Sequence, residues 1–126
     1  MQDPASEGRN LAFAAHALRG EFFHQVCFVA QQSAEKALKA IHFADGARSV
    51  IGHSAVGLLA RLLDKRPQLE PLNDLAAELD LYSIPTRYPN GLVEGVPHRA
   101  FTRTQAERAM GAARSIVEAA KDEIAT

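Results

Sequence analysis

Hydrophobic positions recur every three to four residues along most of this chain, which is the periodicity of amphipathic helices. The clearest stripe predicts a helix over 21–44, and Gly46 marks its end. An earlier segment predicts a helix that Ser6 caps and that runs to about Arg19. The apolar positions of these two helices are Leu11, Ala14, Ala15, Leu18, Phe23, Val26, Cys27, Ala30, Ala34, Ala37, Leu38 and Ile41.

Two shorter periodic segments follow. Ser54 is placed to cap a helix over 55–66, which Pro67 stops because proline cannot continue a helix. A fourth helix is expected from about 71 or 72 to 82 or 83. The apolar positions of these two segments are Val56, Leu59, Leu62, Leu63, Leu72, Leu75, Ala76, Leu79 and Tyr82.

The last helix is expected to begin at a capping box that pairs Thr104 with Glu107, and to run to about Ile124. Its apolar stripe consists of Ala106, Met110, Ala113, Ile116, Val117 and Ala120. No segment shows the alternation that is typical of strands. The pattern therefore predicts an all-α, up-and-down four- to five-helix bundle that forms one domain over 1–126.

Composition narrows the classes of function. The chain has 126 residues, 47% of them hydrophobic and 23% charged, which is usual for a globular domain. A net charge of -1 argues against the broad basic surface of a general nucleic-acid binder but leaves a local basic site open. The first ten residues are polar, and no apolar run is long enough to cross a bilayer. We therefore expect a cytoplasmic protein without a membrane partner.

Metal-dependent chemistry has little support in the sequence. Cys27 is the only cysteine, and because it falls in an apolar stripe we expect it to be buried. Glu21 and His24 form a Glu-x-x-His pair, but a di-iron bundle needs a second such pair and two further carboxylates. We find no second pair and expect neither a metal nor another cofactor.

The segment 86–101, TRYPNGLVEGVPHRAF, interrupts the helical pattern with two prolines, two glycines, two arginines and a histidine. A connection of this length is often functional. The plain alternative is a slack linker between the last two helices.

Three motifs in a fixed order resemble those of HEPN domains, the "higher eukaryotes and prokaryotes nucleotide-binding" family. They are FVAQQSAEKALKAIHFADG at 28–46, His53-Ser54 with Leu58-Leu59, and Arg87-Tyr88-Pro89-Asn90. The resemblance covers the chain from about 11 to 124. It implies a helical bundle that is usually a homodimer and is often encoded beside a minimal nucleotidyltransferase. Many such pairs behave as toxin and antitoxin, and this chain looks like the stand-alone helical partner.

The same resemblance suggests a site for a nucleotide or a phosphate, lined by Lys36, Lys39, His53 and Arg87. Arginine offers a bidentate fork to a phosphate, and the two lysines are expected on the exposed side of their helix.

Structural roles are the alternative for this region. Glu35 is then expected to pair with Arg87 and so hold the loop on the bundle. Gln31 and Gln32 would bind loop carbonyls, and Tyr88 would be a packing anchor. His53 precedes an N-cap, where a residue often packs back on its helix.

A different class of function is RNA cleavage. Many toxic HEPN proteins carry Arg-x4-6-His near the start of the last long helix, where histidine moves a proton and arginine binds the phosphate. Arg87 and His98 are the candidates here, but ten residues separate them. We therefore expect a binding module rather than an enzyme, with an RNA-cleaving toxin as the alternative. A purely structural interaction domain without a ligand is a third reading.

Overall fold

The structure is a computed structural model that describes residues 4–20, 22–87 and 101–125, with side chains for 11–16, 18–20, 22–82 and 101–125. These residues form five α-helices and one 3-10 helix and contain no strand. In chain order the elements are α1 Pro4–Arg19, α2 Phe23–Ala44, α3 Ala55–Ala60, the 3-10 helix Pro67–Leu72, α4 Asn73–Arg87 and α5 Arg103–Ala125. The predicted all-α fold is confirmed.

Helix α2 lies at the centre of the bundle. It packs mainly against α5 and also contacts α1, α3 and α4. The apolar stripes of α2 and α5 supply most of the core, and burial of each large aliphatic side chain contributes about 1.5–3 kcal/mol. Many of the buried positions on these two helices are alanines, which let the helix backbones approach closely.

The bounds of the first two helices differ slightly from those expected. Helix α1 begins at Pro4, so Ser6 lies inside the helix and is not its cap. Proline suits the first helical turn because its missing N–H would be unpaired there in any case. Helix α2 begins at Phe23, and the predicted first residue, Glu21, lies outside the described residues. The backbone at Gly46 has a φ of 102°, which confirms the glycine stop after α2.

The predicted third helix is shorter than expected. Regular α-helix ends at Ala60, and the chain continues through tighter turns in which the amide of Leu62 bonds to the carbonyl of Leu59. The apolar pattern continues into these turns because, over a single turn, a 3-10 helix and an α-helix place apolar side chains on nearly the same face. A 3-10 helix that contains Pro67 and Pro71 then leads into α4.

Helix α4 starts at Asn73, one or two residues after the predicted start, and continues beyond the predicted end at 82 or 83 to Arg87. Its continuation includes Pro85, which removes one amide donor from the helix. The carbonyl left without that donor belongs to Leu81, whose side chain is exposed, so water can take its place. The first two residues of the predicted 86–101 loop are therefore helical.

The capping box of α5 lies two residues earlier than expected. The amide of Gln105 donates to Oγ1 of Thr102 over 3.1 Å, and the amide of Thr102 donates to Oε1 of Gln105 over 3.0 Å. The predicted pair of Thr104 and Glu107 was wrong, because Thr104 already lies inside α5. Both pairs fit the same short pattern.

Two clusters fasten the ends of the bundle. Arg66 donates to Asp45 over 2.6 Å and to Glu123 over 2.5 Å, so it joins the end of α2 to the end of α5. Near the start of α5, the rings of Tyr82 and Phe101 meet edge to face with centroids 6.4 Å apart. None of the described helices is both long and apolar enough to cross a membrane.

Candidate ligand-binding site

Two polar side chains of α2, Gln31 and Glu35, are buried on a helix face that is mostly apolar. Gln31 is fully buried, and only 3% of Glu35 is exposed. Buried polar groups are costly unless they are hydrogen-bonded. The partners of these two side chains therefore show how this part of the bundle is assembled.

Glu35 binds nitrogen atoms from two parts of the chain. Its Oε1 lies 3.0 Å from Nδ1 of His53 and 3.2 Å from Nζ of Lys39, and its Oε2 lies 3.3 Å from Nε2 of Gln31. Lys39 follows Glu35 by one helical turn, which is the i, i+4 spacing at which opposite charges pair on a helix. The pairing with His53 brings the connection between α2 and α3 onto the face of α2.

His53 is held by one ring nitrogen while its side chain remains 70% exposed. An ionised carboxylate only accepts hydrogen bonds, so Nδ1 of His53 carries the proton that it donates to Glu35. This contact sets the orientation of the ring and places Nε2 on the other side of it. Most of the imidazole surface therefore remains accessible to solvent.

Asp80 of α4 organises the other half of the cluster. Its carboxylate accepts from the amides of Ala55 and Val56 over 2.8 and 3.1 Å, and from the hydroxyl of Ser54 over 2.8 Å. Ser54 itself accepts from the amide of Gly57 and so caps α3 as predicted. A carboxylate at a helix N-terminus is favourable because it faces the unpaired amides and the positive end of the helix dipole.

Gln31 connects the two halves. Its Nε2 lies 3.2 Å from the carbonyl oxygen of His53 and 3.2 Å from Oδ1 of Asp80, in addition to Glu35. Gln32 donates to Oε1 of Gln31 over 2.8 Å. Gln31 thus binds a loop carbonyl, but one that belongs to the connection before α3 and not to the 86–101 segment.

The two lysines of α2 differ in their surroundings. Lys39 is paired with Glu35, and its side chain is 17% exposed. Lys36 is half-buried and makes no hydrogen bond or ion pair in the described part of the chain. The charge of Lys36 is therefore not matched by a carboxylate in the described part of the chain.

The remaining predicted site residues lie at or beyond the end of α4. Arg87 is the last residue of α4 and follows Asp80 by seven positions, so the two share a helix face about 10 Å apart. The side chain of Arg87 and all of Tyr88 and His98 lie outside the described residues. The expected pairing of Glu35 with Arg87 and the packing role of Tyr88 therefore stay predictions.

Asp80 is the residue of the cluster that the sequence did not reveal. It lies between two leucines of α4, and its partners are 24 to 26 and 49 residues away in the chain. The only available signal was the N-cap at Ser54, because a helix N-terminus favours a nearby anion. That signal does not identify which carboxylate of the chain is the anion.

Two further side chains, those of Cys27 and His42, are separate from this cluster. Cys27 is buried as expected, and burial together with the charge of Glu78 raises its pKa to about 12, so the thiol is protonated at neutral pH. His42 donates from Nε2 to the carbonyl of Leu58 over 3.0 Å, a contact that joins α2 to α3. Among the described residues, no three His, Cys, Asp or Glu side chains are grouped as metal ligands.

Known proteins share the architecture of this chain. The HEPN domain family matches residues 8–124, which is nearly the whole chain. No curated protein is significantly similar in sequence. A solved structure, TT1696 from Thermus thermophilus, is 37% identical with a TM-score of 0.83, and the match covers 98% of this chain and 99% of that one.

Two further solved structures are similar over most of their length. ST0689, described as an archaeal HEPN homologue, is 30% identical with a TM-score of 0.77, covering 96% of this chain and 93% of that one. The HEPN domain protein TM0613 from Thermotoga maritima is 32% identical with a TM-score of 0.73, covering 94% of this chain and 93% of that one.

Proposed function

This chain belongs to the HEPN domain family, and on that basis we propose that it is a helical binding module for the phosphate of a nucleotide. In this proposal it acts as a homodimer in the cytoplasm, partnered by a separately encoded minimal nucleotidyltransferase in a pair of the toxin–antitoxin kind. Phosphate binding takes place at the cluster around Glu35.

The observation that carries this proposal is the buried carboxylate of Glu35, which holds the largely buried Lys39 and the exposed His53 in place. Fixing two side chains before a ligand arrives lowers the entropy lost on binding. Lys36 stands three residues before Lys39, and no carboxylate in the described part of the chain neutralises it. The arrangement thus combines oriented nitrogen groups with one unmatched positive charge.

Each residue has a distinct role in this proposal. Lys36 supplies a point charge to a phosphate oxygen. His53, oriented by Glu35, supplies Nε2–H when the imidazole is protonated. Arg87 adds a guanidinium fork from the same face of α4 as Asp80, which contacts α2 and α3.

Calorimetry with individual nucleoside triphosphates tests the binding directly. We expect Lys36→Gln to weaken binding about tenfold, because a charge-assisted hydrogen bond is lost. Lys65→Gln, which removes an exposed lysine elsewhere, is the matched control and should leave the affinity unchanged. Absence of heat with every nucleotide would favour the structural interaction domain.

The partnership is supported by the family resemblance, and it has its own test. A short nucleotidyltransferase encoded beside this gene should co-purify with the protein when the two are expressed together.

The mass of the pure protein in solution, measured by light scattering, tests the homodimer. A monomer at high concentration would contradict that part of the proposal.

RNA cleavage is a second candidate, and one observation favours it. The contact of Nδ1 of His53 with Glu35 is the arrangement that fixes the tautomer of a catalytic histidine. Incubation of pure protein with RNA and a chelator, compared with His53→Ala, Arg87→Ala and His98→Ala, tests this. Identical products from wild type and all three variants would remove these residues from any cleavage mechanism.

A further inference from the structure

A second cleft lies at the turn between α1 and α2, away from the cluster around Glu35. Its volume is about 390 Å³, and its lining residues are Phe13, His16, Arg19, Gly20, Phe22 and Gln25. This volume lies within the range of small-molecule sites. Glu35 follows Phe23 by twelve residues in α2, which is about 18 Å along the helix.

Two aromatic rings of this cleft face solvent. Phe13 is 57% exposed and Phe22 is 53% exposed. Exposed phenylalanine faces on one cleft offer a surface on which a planar ring can stack. Core packing does not explain their positions, because neither residue belongs to the hydrophobic core.

The polar groups of the cleft carry positive charge or donate hydrogen bonds. Arg19 is exposed, and within the described residues its hydrogen bond is to Nδ1 of His16, over 3.5 Å. Arginine cannot accept, so Nδ1 of His16 is the acceptor and Nε2 carries the proton in the neutral ring. No carboxylate in the described part of the chain pairs with Arg19. Gln25 adds an exposed amide.

We propose that this cleft binds a small molecule that carries a planar aromatic ring and one anionic group. The ring stacks on Phe13 and Phe22, and the anionic group accepts hydrogen bonds from Arg19 and His16. Charge complementarity selects this ligand class, because the cleft presents aromatic faces beside a guanidinium that no described carboxylate neutralises. The site is independent of phosphate binding near Glu35.

Titration of isotope-labelled protein, followed by the amide signals of Gly20, Phe22 and Gln25, tests this proposal. The probes are adenosine monophosphate and 4-hydroxybenzoate, which combine a ring with an anion and distinguish a nucleotide source from an aromatic acid. Adenosine and inorganic phosphate are the controls, since each supplies only one of the two features. We expect at least one combined probe to shift these signals at a concentration about tenfold below that needed for either control.

Two exposed substitutions should each weaken binding of the combined probe about tenfold, namely Arg19→Gln and Phe22→Leu. Their matched controls are Arg48→Gln and Phe28→Leu, which change exposed residues outside the cleft and should leave binding unchanged. Failure of both combined probes to bind would overturn the proposal, as would equal effects of the cleft and control variants. Cleft signals that shift with protein concentration alone would overturn it too, because they would assign the surface to a second copy of the chain.

Discussion

A single carboxylate, that of Asp80, determines how α3 and α4 meet at the candidate site. It accepts hydrogen bonds from Ser54 and from the first two amides of α3, and it lies beside Gln31 of α2. These four neighbours all present donors to it. A side chain at position 80 that cannot accept hydrogen bonds at two oxygen atoms therefore leaves a donor of α3 or α2 without a partner.

We expect Asp80→Asn to lower the free energy of unfolding by about 1–3 kcal/mol. Asparagine keeps the shape of aspartate, but its NH₂ group faces other donors and cannot accept hydrogen bonds from them. The substitution also removes the negative charge at the N-terminus of α3. Urea denaturation measures the difference. Asp74→Asn, an exposed aspartate in the first turn of α4, is the matched control and should cost only a few tenths of a kcal/mol. Equal losses in the two variants would contradict the role of Asp80.

At the scale of elements, the start of α5 shows how a local pattern and its surroundings combine. The pattern T-x-x-[EQ] occurs twice, at Thr102 and at Thr104. The structure uses the first, and two non-local contacts accompany this choice. Phe101 meets the ring of Tyr82, and the guanidinium of Arg103 lies 5.1 Å from the ring centroid of Phe23.

Thr102→Ala should therefore lower the free energy of unfolding by about 1 kcal/mol, because the amide of Gln105 loses its cap. Thr104→Ala should cause no loss, since Thr104 is exposed inside α5 and alanine favours helix. Thermal unfolding of the two variants provides the comparison. A larger loss from Thr104→Ala would indicate that the helix starts at the later box.

The elements were predictable where their apolar stripes were long. The stripes of α2 and α5 give the buried faces correctly, because a 3.6-residue period sustained over five or six turns has few alternatives. The short α3 and the extension of α4 through Pro85 were not predictable. The ends of these two helices depend on which backbone carbonyls are hydrated and on which side chains bind residues far away in the chain.

At the scale of the whole molecule, Arg66 joins distant parts of the chain through Asp45 and Glu123. Hydrogen bonds from Arg66 hold the pKa of both carboxyl groups below their ordinary values of 3.8 and 4.5. A carboxyl group with a depressed folded pKa stabilises the fold above its unfolded pKa. That contribution is lost as the pH falls through the folded value.

We expect the free energy of unfolding to be nearly constant between about pH 5 and 7 and to fall below about pH 4.5. Arg66→Gln should remove about 1–2 kcal/mol at pH 7 and flatten the acid limb, because both carboxyl groups then lose the largest cause of their lowered pKa. Denaturant unfolding from pH 3 to 7 gives the profile. Arg114→Gln, an exposed arginine of α5, is the control. An unchanged acid limb in Arg66→Gln would show that other groups cause it.

Only part of the candidate site could be predicted from the sequence. The pair of Glu35 and Lys39 follows from helical spacing, and the HEPN motifs drew attention to His53 and Lys36. The contacts that assemble the cluster join residues 18 to 49 positions apart, such as His53 with Glu35 and Gln31 with Asp80. Such contacts depend on how α2, α3 and α4 pack, which no local pattern states.

Titration of isotope-labelled protein with nucleoside triphosphates shows whether the cluster around Glu35 binds phosphate. If phosphate binds at the cluster around Glu35, saturable shifts will concentrate at Lys36, Lys39 and His53, and Lys36→Gln will require about tenfold more nucleotide. Signals of exposed residues that lie in neither site, such as Lys65 and Arg114, provide the internal reference. Phosphate binding at this cluster is excluded if no nucleotide shifts the three cluster signals, or if Lys36→Gln leaves the titration unchanged.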